Sequence, residues 1–460
     1  MRVVLGRTLG PGDLGIVSTV WSLVTMLAIV AIVGVTPTVT RFLALYLQRD
    51  DCASARPLLV ESFVWVLLIA GGLAMLAAGF APAISARWLG SPDFATLVRM
   101  GAMAVPAWAL LLWLVAVFRG LSETAPSVFT KDISQAVLIF GFLALLWWRS
   151  SLDVANAVFF LYVIPAAAAC SIGVLLLWSR IKGILSSPDY HAERREWVHF
   201  AWPLSLSMFL QNTTGRSIDI LVLGYLATAA DVGLYVSALS LVGLLGLVLQ
   251  GVNYLALPMF TGSTGHARSR SMRQTRMLTF ELTLPVTLVL ILWPGTLTHL
   301  TFGDAFTEAV LAIPVLTVGY AVSNFFGPVG QLLLAEGRTR WHLLADLVSI
   351  GVFLVLAFVL IPVWSVLGAA TARSLSQAAF NITAYAPFRK QSRLLSARFW
   401  LDIGGVVSIM GVIKILTVAF IYTKTAEIVA IIFLVGGIFL SYLWIAFRWR
   451  SLLLRIERRK

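Results

Sequence analysis

Apolar runs, each long enough to cross the hydrocarbon core of a bilayer, follow one another along nearly the whole chain. A membrane helix needs about 20 such residues. The runs fall at 13–40, 57–80, 97–118, 127–148, 153–179, 198–225, 231–259, 276–300, 306–334, 340–362, 365–388, 399–423 and 427–447. Lipid admits only helices or closed barrels, because backbone N–H and C=O groups find no water there. Runs this long lack the alternation of barrel strands. The expectation is therefore an all-α polytopic membrane protein with thirteen spans. Composition excludes the alternatives: 59% of the 460 residues are hydrophobic and 12% are charged, against roughly 45–50% and about 25% in soluble proteins. A soluble enzyme, a nucleic-acid binder and a disordered scaffold all fail on this count.

The formal charge of +13 has a membrane explanation. Most of the Lys and Arg fall on every second connection: Arg41, Arg49 and Arg56; Arg119 and Lys131; Arg180, Lys182, Arg194 and Arg195; Arg268, Arg270, Arg273 and Arg276; Arg338 and Arg340; Arg389, Lys390, Arg393 and Arg398; and the tail from Arg448 to Lys460. The opposite side holds few: Arg2, Arg7, Arg87, Arg99, Arg149 and Lys424. Basic residues concentrate on cytoplasmic loops, so the 180–197 connection and the C-terminal tail are expected in the cytoplasm. No nucleic-acid partner is needed. Cys52 and Cys170 give neither a disulfide framework nor a metal site.

A repeat is legible at an offset of 218. Segment 5–30, LGRTLGPGDLGIVSTVWSLVTMLAIV, aligns without gaps with 223–248, LGYLATAADVGLYVSALSLVGLLGLV. Identities fall at Leu5/Leu223, Gly6/Gly224, Asp13/Asp231, Gly15/Gly233, Ser22/Ser240, Leu23/Leu241, Val24/Val242, Leu27/Leu245 and Val30/Val248. Six helices separate the copies, an even number, so the repeats are parallel and a pseudo-two-fold axis should run along the membrane normal. The predicted divisions are an N-lobe at 1–179, a cytoplasmic linker at 180–197, a C-lobe at 198–391, and two peripheral helices with a basic tail at 392–460. The span at 198–225 predicts a first-copy counterpart largely upstream of Met1. Two six-helix bundles plus two C-terminal helices would then make fourteen spans, with the first truncated here. The alternative is a thirteen-span protein with an external N-terminus.

The segment LGRTLGPGDLGIVSTVWSL resembles the opening of polysaccharide and oligosaccharidyl-lipid flippases. These belong to the multidrug/oligosaccharidyl-lipid/polysaccharide exporter superfamily. RSIDILVLGYLATAADVGLYVSALSL (216–241) and LAEGRTRWHLLADLVSIGVFLVLAFVLIPVWSVLGAATARSLSQ (334–377) are similar to other parts of the same family. The resemblance implies two six-helix bundles forming a V, and a carrier without a catalytic centre or cofactor. It is specific for the superfamily and silent on the substrate.

The residues themselves argue against an enzyme. There is no GxxxxGK[ST] phosphate loop, no HExxH and no Cys/His cluster. Charges within spans are the informative feature, because each costs about 2.5–3.5 kcal/mol at a helix centre on insertion scales. Arg216 follows Gln211, Asn212, Thr213, Thr214 and Gly215. A stretch this polar is expected to line a cavity. There Arg216 could grip a diphosphate with its planar fork of donors, or simply pair with Asp219 one turn on. Arg373, Gln377 and Asn381 share a helical face at i, i+4 and i+8, either for sugar hydroxyls or for bundle packing. Lys414 is expected to snorkel from a peripheral span. Glu61 and Glu281 are candidates for proton or sodium coupling, as is Asp219; the plainer reading of the two glutamates is a charge favoured near the positive end of its helix.

The expected function is a flippase for a polyprenyl-diphosphate-linked oligosaccharide, in the cytoplasmic membrane and serving cell-surface polysaccharide biosynthesis. Its partners would be that glycolipid, the bilayer, and a glycan polymerase or ligase of the same pathway. Two other readings remain: a cation-coupled small-molecule exporter, or a non-transporting scaffold of a glycan assembly complex.

Overall fold

The computed structural model describes residues 1–88, 92–149, 153–186, 190–201, 209, 217–262, 265–388, 406, 408–410, 412 and 436–443. All regular structure among them is helical. Nine helices among the described residues are long and apolar enough to cross a membrane. The chain divides into two compact units, Met1–Gly233 and Leu234–Lys460.

In the first unit, α1 (Arg2–Ile32) is broken at Gly10, whose φ is 82°, immediately before Pro11. The turn-like LGPGDLG thus becomes a kink inside a helix. Gly34 then takes a left-handed conformation and starts α2 (Val35–Gln48), carrying the helical chain past the expected end at residue 40. Next come α3 (Cys52–Gly79), α4 (Ala104–Gly120) and α5 (Ile164–Leu185). Buried residues occur on most sides of α4, from Ala104 through Trp113 to Gly120, which makes it the central helix of this unit. The helix at 194–201 follows, then α6 (Ile218–Leu226) and the first turn of α7 (Ala229–Thr261).

The start of α1 meets the start of α7 backbone to backbone. A Cβ on Gly15 would lie 1.8 Å from the carbonyl oxygen of Ala229, and one on Gly233 would lie 1.8 Å from that of Pro11. Gly15 and Gly233 are repeat counterparts, and so are Pro11 and Ala229. Reciprocal contacts of this kind are what a local two-fold relation between the repeats requires. Small residues permit such close approach where helices meet in lipid. Beside the crossing, the hydroxyls of Thr25 and Ser217 share a hydrogen bond of 3.1 Å.

The second unit contains α8 (Gly265–Leu292), α9 (Ala312–Phe326), α10 (Val329–Ala335) and α11 (Thr339–Tyr385). At 47 residues, α11 would be about 70 Å long if straight, far beyond a hydrocarbon core of about 30 Å. It is a hairpin. Ser365 has φ 43° and ψ −114°, and a Cβ on Gly368 would lie 2.3 Å from the carbonyl oxygen of Leu360. Ser349 Oγ donates across the hairpin to the carbonyl of Ser376 at 3.0 Å. The two expected spans at 340–362 and 365–388 are its arms. A core of Phe260, Met272, Val329, Leu333, Ala345 and Tyr385 joins α7, α8, α10 and α11. C-terminal residues Val406, Met410, Ile438 and Tyr442 pack with Leu284 and Val289 of α8. Of the expected spans, 399–423 and 427–447 lie mostly outside the described residues, and half of 198–225 does.

Gly15→Ala and Gly233→Ala each place a methyl against a carbonyl that no rotamer change can clear. Each should sharply lower the yield of folded protein and its melting temperature in detergent. Gly12→Ala meets nothing within 4 Å and should behave as wild type.

Candidate functional site

Of the expected cavity residues, Gln211, Asn212 and Arg216 lie outside the described residues, as does Lys414. Asp219 is described: it is 1% exposed in the first turn of α6. Its Oδ1 accepts the N–H of Ile220 at 3.0 Å. It therefore sits inside the first unit, close in sequence to the bond between Ser217 and α1.

The second stripe is on the C-terminal arm of α11. Arg373 is buried, Gln377 half-buried and Asn381 buried. Asn381 Nδ2 donates to Ser323 Oγ on α9 at 3.1 Å and to the carbonyl of Gln377 at 2.7 Å. Gln377 Oε1 is buried without a hydrogen bond. Next to Arg373, Ser374 Oγ donates to the carbonyl of Val315 at 2.8 Å, and a Cβ on Gly319 would stand 2.7 Å from the Cα of Ser374. This is a tight crossing of α9 and α11, with the polar stripe along it.

The two glutamates are not equivalent. Their helices begin at Cys52 and Gly265, so both carboxylates lie well past the first turn. The expectation that each lies near the positive end of its helix is corrected, because a helix's field at its end falls off within one turn. Glu281 is 4% exposed in α8. Near it Thr275, Thr279, Thr283 and Thr287 each donate to the carbonyl four residues back. Back-bonding of this kind satisfies hydroxyls within the helix and bends it slightly.

Glu61 is held from outside its own helix. Arg194 Nε donates to Glu61 Oε2 at 2.7 Å and Nη2 to Oε1 at 2.8 Å, a two-pronged ion pair. Tyr190 Oη donates to Oε1 at 2.7 Å. Burial, and after it the Glu61 carboxylate, keeps the Tyr190 hydroxyl protonated to higher pH, and the carboxylate holds the Arg194 guanidinium charged. A second set of contacts runs alongside. Tyr46 Oη donates to Glu193 Oε2 and accepts from Trp197 Nε1 at 2.9 Å. The N–H of His191 donates to the carbonyl of Ala53 at 3.1 Å. Arg41 lies 4.3 Å over the ring of Phe200. Residues 190–200 are thereby strapped to the ends of α2 and α3. The sequence presented Arg194 only as loop charge; its partner is 133 residues away, and no local spacing announces it. A buried His342–Asp346 pair in α11, 3.0 Å apart, also escaped the sequence reading as a pair, although its i, i+4 spacing was a usable signal.

The model of the polysaccharide biosynthesis protein family matches residues 1–263. The chain belongs to that family. It thereby falls within the multidrug/oligosaccharidyl-lipid/polysaccharide exporter superfamily, whose role is transport across membranes. No curated protein matches it in sequence. Among solved structures, the family member is similar to the lipid II flippase MurJ in an inward closed conformation. The TM-score is 0.77 at 14% identity, covering 98% of this chain and 96% of that one. It is also similar to an inward-facing multidrug resistance MATE family transporter of the MOP superfamily, with TM-score 0.65, 14% identity, and coverage of 85% and 95%. A MOP superfamily transporter from Pyrococcus furiosus gives TM-score 0.60 at 12% identity, with coverage of 85% and 90%. These likenesses are of fold.

Two outcomes are expected from the strap. Glu61→Gln should speed chymotryptic cleavage at Tyr190 severalfold, and high salt should do the same to wild type, because the pair is open to solvent screening. Asp51 caps α3 by accepting the N–H of Ser54 at 3.0 Å, and its hydrogen bonds with Ser54 hold its carboxyl below the ordinary 3.8. A lowered carboxyl adds stability above its unfolded value and loses it as pH falls through the native one. Asp51→Asn should keep the cap and flatten the loss of melting temperature below pH 3.8. Asp51→Ala should cost about 0.5–2 kcal/mol at neutral pH.

Proposed function

We propose that this protein moves a polyprenyl-diphosphate-linked oligosaccharide across the inner (cytoplasmic) membrane, with its C-terminus in the cytoplasm. The observation that carries the reading is the family match together with a likeness to the lipid II flippase over 98% of the chain. A lipid of this class has a large polar head that cannot cross hydrocarbon unaided and tails that need not leave it. Two six-helix bundles with two peripheral helices would shelter the head between them while the tails stay in lipid, and rocking would alternate access between the two sides.

In this reading Arg216 binds the diphosphate, with Gln211, Asn212 and Asp219 beside it, and Arg373, Gln377 and Asn381 meet sugar hydroxyls. Glu61, Glu281 and Asp219 are the proposed coupling groups, for protons or sodium. A charge moved through the whole membrane potential gains about 2.3 kcal/mol per 100 mV, enough to bias release outward without ATP. A glycan polymerase or ligase would take the delivered lipid. The second reading, a multidrug exporter, is favoured by the likeness to a MATE family transporter over 85% of the chain. The buried arginine Arg373 weighs against cationic cargo.

Depleting the protein in its native host should make a prenyl-linked glycan accumulate on the cytoplasmic leaflet. Wild type should clear it, and Arg216→Ala should clear it at least tenfold more slowly. Absence of accumulation, with a rise in sensitivity to cationic toxins, would transfer the assignment to the exporter.

A further inference from the structure

Between α2, α3 and the helix at 194–201 lies a half-open cavity of about 350 Å³, within the size range of small-ligand sites. All its walls belong to the first compact unit. The buried part of its lining, its floor, is apolar: Val39 is 0% exposed, Leu58 1% and Trp197 8%. Its mouth is flanked by Trp65, 61% exposed, and Val198, 67% exposed. Trp65 stands in a row with exposed Leu68 and Leu76 on α3, a spanning helix. The cavity therefore opens beside an exposed apolar face of a helix long and apolar enough to cross a membrane. Glu61 and Arg194 border it as well, and Arg194 leaves 70% of its side chain exposed beyond the ion pair.

We propose that one hydrocarbon chain of a bilayer phospholipid inserts here, with its headgroup at the Glu61–Arg194 pair. An unfilled apolar cavity forfeits the dispersion contacts of its lining. Between lipid and cavity there is no difference in hydration to drive insertion, so packing decides it, and a chain of methylenes fits a narrow apolar slot. The charged border and apolar floor match the polarity of a phospholipid from head to tail. The proposal does not depend on which cargo is carried. It would make a bound lipid part of what seats the strap against α3.

The test uses the full chain in phosphatidylcholine vesicles containing a phospholipid with a diazirine on one acyl chain. After irradiation, labelled residues are mapped by mass spectrometry. Label on Val39, Leu58 or Trp197 is expected, since lipid passing over the outer surface does not reach these side chains. Label confined to outward residues such as Leu68 and Met75 would overturn the proposal. Val35→Phe, which narrows the slot, should cut labelling of Val39 and Trp197 at least fivefold while leaving Met75 unchanged; undiminished floor labelling in that variant would also overturn it. Floor labelling displaced by an equimolar polyprenyl diphosphate would assign the cavity to a substrate tail and refute the phospholipid.

Discussion

The reciprocal contact of Gly15 with Ala229 and of Gly233 with Pro11 is the constraint on which the first unit depends. In lipid, helices gain little from hiding apolar surface, so association rests on close packing and on polar bonds between helices. A crossing with two carbonyls seated over two glycines is as close as backbones come. It fixes the start of α7 on α1 and brings Ser217 to Thr25. It also places Asp219 where a carboxylate can be fully buried with a backbone N–H to accept. The crossing pairs residues at the same offset of 218 that relates the sequences of the two copies.

Much of this architecture was readable from the residues, and for identifiable reasons. Span positions follow from hydropathy because lipid imposes it over long windows. The break between the arms of α11 was visible between 362 and 365, where Pro362 ends one apolar run and Gly368 permits the return of the next. The glycine and aspartate identities of the repeat marked a feature that hydrophobic composition does not explain, and the structure finds the glycines at the crossing. Helix ends were read less well. Membrane helices continue past their apolar stretch into charged residues, as α2 does to Gln48 and α8 does back to Gly265, and hydropathy stops counting at the first charges.

Side-chain partners were the least legible. Glu61 looked like a lone acid in a span, and its environment is made by Tyr190 and Arg194 from a connection that sequence marks only as basic. An ion pair between elements leaves no periodicity. The Arg373, Gln377 and Asn381 stripe shows the converse. Its spacing correctly put three residues on one face, but spacing says nothing about what the face meets, and for Asn381 that is Ser323 of α9.

Glu61 and Glu281 stand at nearly matching places in the two copies, yet one is clasped by an exposed arginine and the other is buried beside a ladder of threonines. A repeated backbone supplies equivalent positions; it does not supply equivalent chemistry. Partners differ because Arg194 comes from the connection between the copies, and only one such connection exists between two copies. The strap can therefore act on the first copy alone.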